Sequence, residues 1–455
     1  MSRLLISAAH KSSGKTTVSL GLCAALAERG LAVQPFKKGP DYIDPMWLGQ
    51  AAGRPCHNLD FYCMSQEEIL TAVGHYSSDA DIALIEGNKG LYDGLDLEGS
   101  NSNAALATLT RTPVILVLDA RGMTRGIAPL ILGYQSFDPD VSIAGVILNQ
   151  LGGSRHEAKL RAVIEHYTDV PVIGGVHRDP ALVIDERHLG LIPSNEAATA
   201  DKKIGTIRDL IREQVDIDRL LAQAGQEPIS FKAPQPVPQH DSAAVRIGIA
   251  HDAAFGFYYP DDIAALQEAG AELVYFNTLT DATLPEIDGL FIGGGFPESY
   301  LHTLEANASL RAAIHSAIAA GLPAYAECGG LMYLSRSLSW NGNRADMVGV
   351  IPGDAVMHAR PQGRGYVRLR ETAGAPWPSQ HPEGEFAAHE FHYSALENIS
   401  EPLTYAYEVL RGSGVDGKHD GIVINNLLAC YSHMRDTEQH HWARRFVEFA
   451  RQMRG

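Results

Sequence analysis

Pro323-Ala324-Tyr325-Ala326-Glu327-Cys328-Gly329-Gly330-Leu331 leads from small and apolar residues into one cysteine and two glycines, and then into Leu331-Met332-Tyr333-Leu334. That order reads as strand, sharp turn and helix. A nucleophile on such a turn is held clear of its own backbone, over a helix N-terminus. There, amide N–H groups and the helix dipole lower a thiol pKa and can hold an oxyanion. A buried cysteine that merely packs is the alternative, because free cysteine is among the most buried residue types. The two glycines, and a histidine much farther along the chain, favour the chemical reading.

Just upstream, Gly289-Leu290-Phe291-Ile292-Gly293-Gly294-Gly295-Phe296-Pro297-Glu298 reads as a strand ending in three glycines. A glycine run lets the backbone approach a ligand closely and aim its N–H groups. Earlier strands are expected at Val245–Ala250 and Leu273–Phe276, with a helix on Ile263, Leu266 and Ala269 between them. Near the C-terminus, Gly421–Asn425 and Leu427–Tyr431 lead into Ser432-His433-Met434. A cysteine on a turn, a glycine loop before it and a histidine after a late apolar run are the parts of a thiol hydrolase. Thiolate attack needs a base with a pKa near neutrality, which histidine supplies. The chain has 19 histidines, and His389 and His392 in His389-Glu390-Phe391-His392-Tyr393-Ser394 compete with His433 for the role.

The first half has a different signature. Arg3 to Ala9 suits a buried strand and runs into Ala9-His10-Lys11-Ser12-Ser13-Gly14-Lys15-Thr16-Thr17, after which Val18, Leu20, Leu22 and Leu26 recur as on a helix. Strand, glycine loop, Gly-Lys-Thr and helix is the phosphate-loop arrangement: backbone N–H groups cradle phosphates, Lys15 neutralises them and the Thr16 hydroxyl meets magnesium. Ala9 stands where the usual pattern has its first glycine. A strand at Leu31–Pro35 is followed by Phe36-Lys37-Lys38-Gly39-Pro40-Asp41-Tyr42-Ile43-Asp44-Pro45. That is either an ordinary polar loop or a ligand site at the C-terminal end of a strand. Asp81–Gly87 is a third strand, with Glu86 placed to reach a magnesium ion. It is followed by Asn88-Lys89-Gly90-Leu91-Tyr92-Asp93-Gly94. Further strands are expected at Val114–Asp119, Ile143–Asn149 and Val172–Val176, and Asn149 reads as a base contact or a turn cap. Strands separated by helix-length segments argue for mainly parallel, doubly wound sheets, so the fold class is α/β. The divisions expected are 1–228 for a phosphate-loop domain, 229–244 for a Pro- and Gln-rich linker and 245–455 for the cysteine domain.

Composition narrows the field. The 455 residues are 45% hydrophobic and 20% charged, enough for two cores. Net charge is −17, from 37 basic and 54 acidic residues, which disfavours nucleic acid or an anionic membrane as the main partner. Five cysteines without Cys-x-x-Cys spacing suggest neither a disulfide framework nor a zinc site. No apolar run approaches a membrane span and the N-terminus does not read as a signal peptide, so a cytoplasmic protein is expected.

These motifs together resemble the cobyrinic acid a,c-diamide synthases, glutamine-hydrolysing and ATP-dependent amidotransferases of tetrapyrrole biosynthesis. The resemblance covers essentially the whole chain. It is carried by Ser13-Gly14-Lys15-Thr16-Thr17, Lys38 to Pro45, Gly53-Arg54-Pro55, Asn58-Leu59-Asp60, Glu86-Gly87 with Gly90 to Gly94, Asp119 to Gly122, Gly293 to Glu298, Glu327 to Gly330 and His389 to Ser394. It implies a C-terminal domain similar to class I glutamine amidotransferases, with Cys328 as nucleophile, His433 as base and then acid, and an oxyanion site near Gly294, Gly295 and Gly329. It implies an N-terminal domain similar to dethiobiotin synthetase, with ATP on Ser13, Gly14, Lys15, Thr16, Thr17 and Lys38 and Mg2+ on Thr16, Asp41 and Glu86. Asp93 would position the substrate or the incoming ammonia. The implied partners are glutamine and a tetrapyrrole carboxylate (cobyrinate, hydrogenobyrinate or siroheme), with a homodimer as the assembly to test.

Two positions depart from the pattern. Many class I amidotransferases carry an acid two residues after the catalytic histidine; here that residue is Arg435, which leaves a Cys–His dyad with Glu390 as a weak candidate for orienting the ring. Asn88-Lys89 stands where the cobyrinate enzymes usually have an apolar pair, and Asn101-Ser102-Asn103 nearby is also polar. A loop of that kind facing the substrate points to siroheme amidation as the alternative to cobyrinate. A partition ATPase would leave the cysteine constellation unused, and a cysteine peptidase would leave the phosphate loop unused.

Overall fold

Ser2–Ala8 (β1) shows how the first half is organised: even its polar Arg3 and Ser7 are buried, as in a strand covered on both faces. The computed structural model describes residues 2–184, 186–187, 190–196, 199–232, 244–377 and 384–454. The chain divides into two compact units, Met1–Pro234 and Gln235–Gly455. Most of the expected linker, residues 233–243, lies outside the described residues.

In the first unit, β1 is joined by Val33–Lys38 (β2), His57–Leu59 (β3), Ile82–Glu86 (β4), Val114–Asp119 (β5), Ile143–Leu151 (β6) and Val172–His177 (β7). They form one sheet in the order β3-β2-β4-β1-β5-β6-β7, with every pair parallel. A parallel sheet needs crossover connections, and helices such as Lys15–Glu28 (α1) and Ile43–Ala52 (α2) supply them. The chain leaves β1 towards β2 on one side and later places β5 on the other. The β1 end is therefore the switch point where ligands bind in open α/β sheets. A short hairpin, Glu186–Arg187 (β8) and Gly190–Leu191 (β9), lies apart from this sheet.

β2 runs beyond the expected Leu31–Pro35. Pro35 lacks an N–H donor and reads as a strand end, yet pairing continues to Lys38, with Lys37 opposite Glu86 and Lys38 opposite Leu59. Both lysines are therefore strand residues, and both are buried.

The second unit begins with Val245–Ala250 (β10), Phe255–Phe257 (β11), Ala271–Phe276 (β12), Gly289–Ile292 (β13), Gly294–Gly295 (β14) and Ala324–Glu327 (β15). Between Cys328 and the C-terminal strands the described residues form seven more: Ser335–Trp340 (β16), Asn343–Asp346 (β17), Ile351–Met357 (β18), Gly363–Glu371 (β19), Glu385–His392 (β20), Ser394–Glu397 (β21) and Thr404–Arg411 (β22). His419–Ile424 (β23) and Leu427–Cys430 (β24) complete them. The main sheet has the order β12-β10-β13-β15-β24-β23-β22-β19-β20. It is parallel from β12 to β24 and antiparallel from β24 onward. A smaller sheet, β17-β16-β18-β21, stands apart from it.

Alternation along β13 and β15 sends side chains to two cores. Leu290, Ile292, Ala324 and Ala326 join one apolar cluster with Ile314 and Ile318. Phe291 and Tyr325 join the other with Trp442 and Phe446. By the same period of two, Glu327 shares the Tyr325 face, and this becomes important at the site.

Candidate functional site

In the first unit the turn after β1 closes on Gly14, whose φ of 86° lies in the left-handed region open to glycine. The Asn149 side-chain amide donates to the Ser13 carbonyl at 2.8 Å. A methyl group at Gly14 would stand 2.1 Å from that amide nitrogen. Asn149 thus acts as a brace for the loop. Ser13 is also turned inward, its hydroxyl donating to the His10 carbonyl at 2.8 Å. Thr16 and Thr17 lie in the first turn of α1.

The strand ends and α2 assemble an acidic cluster around one lysine. Lys37 Nζ lies 2.5 Å from Asp44 Oδ2, 2.9 Å from Glu86 Oε1 and 3.7 Å from Asp41 Oδ2. The Thr16 hydroxyl donates to Glu86 Oε1 at 2.8 Å and to Asp44 Oδ2 at 3.2 Å. Register explains the pairing, because Lys37 and Glu86 are Cα partners on adjacent parallel strands. Asp41 is fixed from below, its Oδ1 accepting from the Ile43 and Asp44 amides.

The electrostatics follow from burial. Desolvation, then the Asp44 charge, pushes Asp41 up to about 7. Burial also lifts Glu86 above the usual carboxylate range. Burial opposes ionisation of Asp44 too, but the Lys37 ammonium outweighs it and holds that carboxyl below its ordinary value. Burial would lower Lys37, yet Asp44 and Glu86 keep it firmly charged. Lys15 falls to about 8, chiefly by desolvation, and its ammonium donates to the Lys89 carbonyl at 2.5 Å.

This donor set fits magnesium. Thr16, Asp41, Asp44 and Glu86 offer hard oxygens, and Glu86 Oε2 is buried without a hydrogen-bond partner. Among the described residues no three acidic, imidazole or thiol groups form a ready-made metal cage, since Lys37 stands among the acids. Such a set suits an ion held largely by phosphates and water, with one or two carboxylates in support.

Lys38 departs from this cluster. Its ammonium donates to Asn88 Oδ1 at 3.1 Å, and burial lowers it to about 8. Asp93 Oδ2 accepts from the Gly90 amide at 2.8 Å and so shapes the loop after β4. The polarity of Asn101-Ser102-Asn103 has a structural cause, contrary to the expectation that it faces a substrate. Ser102 caps the helix Asn103–Leu109. Asn103 is fully buried; its amide donates to Ser7 Oγ at 3.0 Å and to the Asn88 and Gly90 carbonyls at 2.5 and 3.0 Å. Lys89 is exposed, with a φ of 39°.

In the second unit Cys328 follows β15 directly, with φ 47° and ψ −97°. A non-glycine residue there is strained, as nucleophiles on such turns are. The turn needs Gly330, where a methyl group would stand 2.1 Å from the Ile292 carbonyl oxygen. A methyl at Gly329 would lie 2.9 Å from the Gly295 nitrogen, and one at Gly294 would lie 2.8 Å from His433 Cε1. Cys328, Gly294, Gly295, Gly329 and His433 therefore meet at one end of the sheet. β24 lies beside β15, with Cys430 opposite Glu327, and delivers His433 three residues later. Two backbone hydrogen bonds with His389 hold His433 there.

The thiol differs from expectation. Burial, with Glu298 and Glu327 adding their charge, pushes Cys328 well up. Desolvation outweighs the amide at the helix start and favours the neutral thiol. The two rival histidines have other surroundings. The His389 ring stacks on His433 at 4.9 Å, and burial holds it well below the usual imidazole range. His392 Nδ1 lies 2.8 Å from the Ser394 carbonyl, and its ring stacks on Tyr431 at 4.0 Å. Glu390 does not orient His433: it accepts from the Ser413 and Gly414 amides at 2.7 and 2.9 Å. Arg435 pairs with Asp261 at 2.8 Å and lies 4.2 Å from the centre of the Tyr259 ring. The carboxylate beside His433 is Glu327, with Oε2 at 3.3 Å from Nδ1.

Sequence reasoning missed Lys37, Asp44 and Glu327 as site residues. Lys37 and Asp44 were visible in the lysine–aspartate stretch after Pro35. Glu327 carried one signal, an acid as the last residue of a strand otherwise built of apolar and aromatic residues.

Comparison with known proteins agrees with both halves. A family described as "CobQ/CobB/MinD/ParA nucleotide binding domain" matches residues 5–191, and one described as "CobB/CobQ-like glutamine amidotransferase domain" matches residues 246–439. The cobyrinate a,c-diamide synthase of Magnetococcus marinus is 45% identical over 99% of this chain and 97% of its own length. Proteins of the same name from Methanosarcina acetivorans and Archaeoglobus fulgidus are 44% and 39% identical, over 99% and 98% of this chain and 96% and 97% of theirs.

Proposed function

Because the chain belongs to the cobyrinate a,c-diamide synthase family, we propose that it amidates the a- and c-acetate carboxylates of cobyrinate, using ATP and the amide nitrogen of glutamine. It is a glutamine-dependent amidotransferase with a nucleotide-binding domain. The observation that carries the reading is the 45% identity to a protein of that name over 99% of this chain.

In the second unit, Cys328 attacks the glutamine amide carbon while His433 takes the thiol proton. The amide N–H groups of Gly294, Gly295 and Gly329 receive the oxygen as it gains charge. His433 then protonates the leaving nitrogen, and water releases glutamate from the thioester. The raised thiol pKa makes His433 necessary at the first step.

In the first unit, the loop amides from Ser13 to Thr17 and the Lys15 ammonium hold the ATP phosphates. Thr16, Asp41, Asp44 and Glu86 would hold Mg2+, which supplies positive charge against the phosphates. A carboxylate is a poor electrophile until its oxygen becomes a leaving group. A substrate acetate oxygen therefore attacks the γ-phosphorus as the bond to the bridging oxygen breaks and ADP leaves, giving an acyl phosphate; ammonia then adds to the acyl carbon, phosphate leaves and the nitrogen loses a proton to give the amide. Lys38 faces the loop bearing Asn88, and Asp93 sets the shape of that loop. The two residues belong to the substrate side of the site.

The test offers cobyrinate, hydrogenobyrinate and siroheme separately to the purified protein with glutamine, ATP and magnesium, and reads the products by mass spectrometry. Two amides gained on cobyrinate is the expected result. Amidation of siroheme alone would transfer the same chemistry to a different tetrapyrrole and overturn the substrate assignment.

A further inference from the structure

We propose that Glu327 is the positioning residue of the glutamine-hydrolysing centre, filling from the strand before the nucleophile the role that an acid after His433 would otherwise have. This rests on the reading of Cys328 and His433 as nucleophile and base. Four observations support it. Glu327 Oε2 lies 3.3 Å from His433 Nδ1. The other oxygen, Oε1, accepts from the Met434 amide at 2.9 Å and from the Tyr325 hydroxyl, so the carboxylate cannot swing away. Both side chains are almost wholly buried, where an ionised acid persists only if hydrogen-bonded or paired. The position two residues after His433 is taken by Arg435, whose guanidinium is paired with Asp261.

Sequence and fold explain the placement. Tyr325 and Glu327 share one face of β15 by the period of two, and the parallel register with β24 puts Cys430 opposite Glu327. His433 therefore arrives within reach of the residue that precedes the nucleophile. The acid is thus rigidly tied to the nucleophile through the strained Cys328 turn.

The chemistry balances without a proton on Glu327. The carboxylate accepts a hydrogen bond from Nδ1–H, which keeps that proton on the ring and leaves Nε2 as the basic atom of the neutral imidazole. The Cys328 thiol proton passes to Nε2 as the S–C bond forms and the carbonyl electrons move to oxygen. The imidazolium then lies against an ionised carboxylate. The same proton leaves Nε2 for the amide nitrogen as the C–N bond breaks. His389, the other ring against His433, is held neutral by burial and adds no opposing charge.

Glu327→Gln in the full chain tests this. The Gln carbonyl can still accept from Met434 and Tyr325, but the amide group presents donors to Nδ1 and favours the wrong tautomer. Glutamine hydrolysis is expected to lose at least about 100-fold in kcat with KM changed less than about three-fold. Ammonia-dependent amidation and the melting temperature stay as in the native protein. A kcat within about five-fold of native overturns the inference. Should the variant melt early, the native protein decides: nitrogen-15 correlation of the His433 ring is expected to place the proton on Nδ1, and a proton on Nε2 overturns the inference. Cys328→Ala separates the two levels. Loss of hydrolysis there with a near-native Glu327→Gln sinks this inference alone, whereas hydrolysis surviving Cys328→Ala sinks the underlying reading as well.

Discussion

Lys37 is the point at which the first unit can be probed most sharply. Its ammonium lies within 4 Å of three carboxylates, on Asp41, Asp44 and Glu86, and is itself buried. Lys37→Met keeps the length and packing of the side chain and removes only the charge. Breaking a buried ion pair by deleting one partner costs about 3–5 kcal/mol, because the other charge stays behind without compensation. For a unit of this size each kcal/mol moves the melting point by about 2–4 °C, so a fall of about 6–20 °C is expected. Calorimetry of the full chain reads it, with the transition of the first unit identified by its rise on adding ATP. The sign with pH is fixed. Without Lys37, Asp44 loses the charge that holds its pKa down, and Asp41 and Glu86, already raised by burial, rise further, so stability returns as pH falls and the acids take up protons. The deficit is therefore larger at pH 8 than at pH 5. Magnesium recovers part of it by replacing the lost positive charge. A melting point within about 2 °C of native at pH 8 would refute the view that one lysine balances three acids.

Other perturbations address single links. Glu86→Gln is expected to lower ATP-dependent amidation at least about 100-fold while basal glutamine hydrolysis changes less than about three-fold, and unchanged amidation in the coupled assay would remove Glu86 from the magnesium site. Asn103→Ala leaves the Asn88 and Gly90 carbonyls without their buried donor, costing about 2–4 kcal/mol in chemical denaturation; a loss below about 0.5 kcal/mol would show that the loop holds itself. Because burial holds Cys328 as a thiol, its alkylation by iodoacetamide is expected to rise about ten-fold per pH unit between pH 7 and 9. A rate flat across that range would reveal a resting thiolate–imidazolium pair.

Several parallel strands were legible as apolar runs ending at or beside a chemically marked residue, as at Glu86 and Cys328, whereas the three-residue β3 offered no such run. β2 misled in its extent. Pro35 looks like a terminator, and the two lysines beyond it look like solvated loop, yet Lys37 is charged at depth because three acids surround it. The strands from Ser335 to Arg411 gave no such signal. Apart from the parallel pairing of β16 with β18 they pair antiparallel, with alternation interrupted by glycine and proline, and with exposed charged positions such as Arg364 and Arg368 that carry no marker of chemistry. Asn103 misled for the opposite reason. A polar residue beside a glycine loop suggests a ligand, whereas this one satisfies backbone carbonyls. Glu327 was hidden by proximity: an acid touching the nucleophile in sequence reads as part of the strand, and only the β15–β24 register brings His433 to it.

The central claim is that one chain moves nitrogen from glutamine to a tetrapyrrole carboxylate at the expense of ATP. Glutamine labelled with nitrogen-15 in its amide, given with cobyrinate, ATP and magnesium, tests it directly. The account predicts a diamide carrying label at both new amides, no product when ATP is withheld, and label from glutamine lost in Cys328→Ala while labelled ammonia still enters. An unlabelled diamide, or labelled diamide formed without ATP, would contradict it.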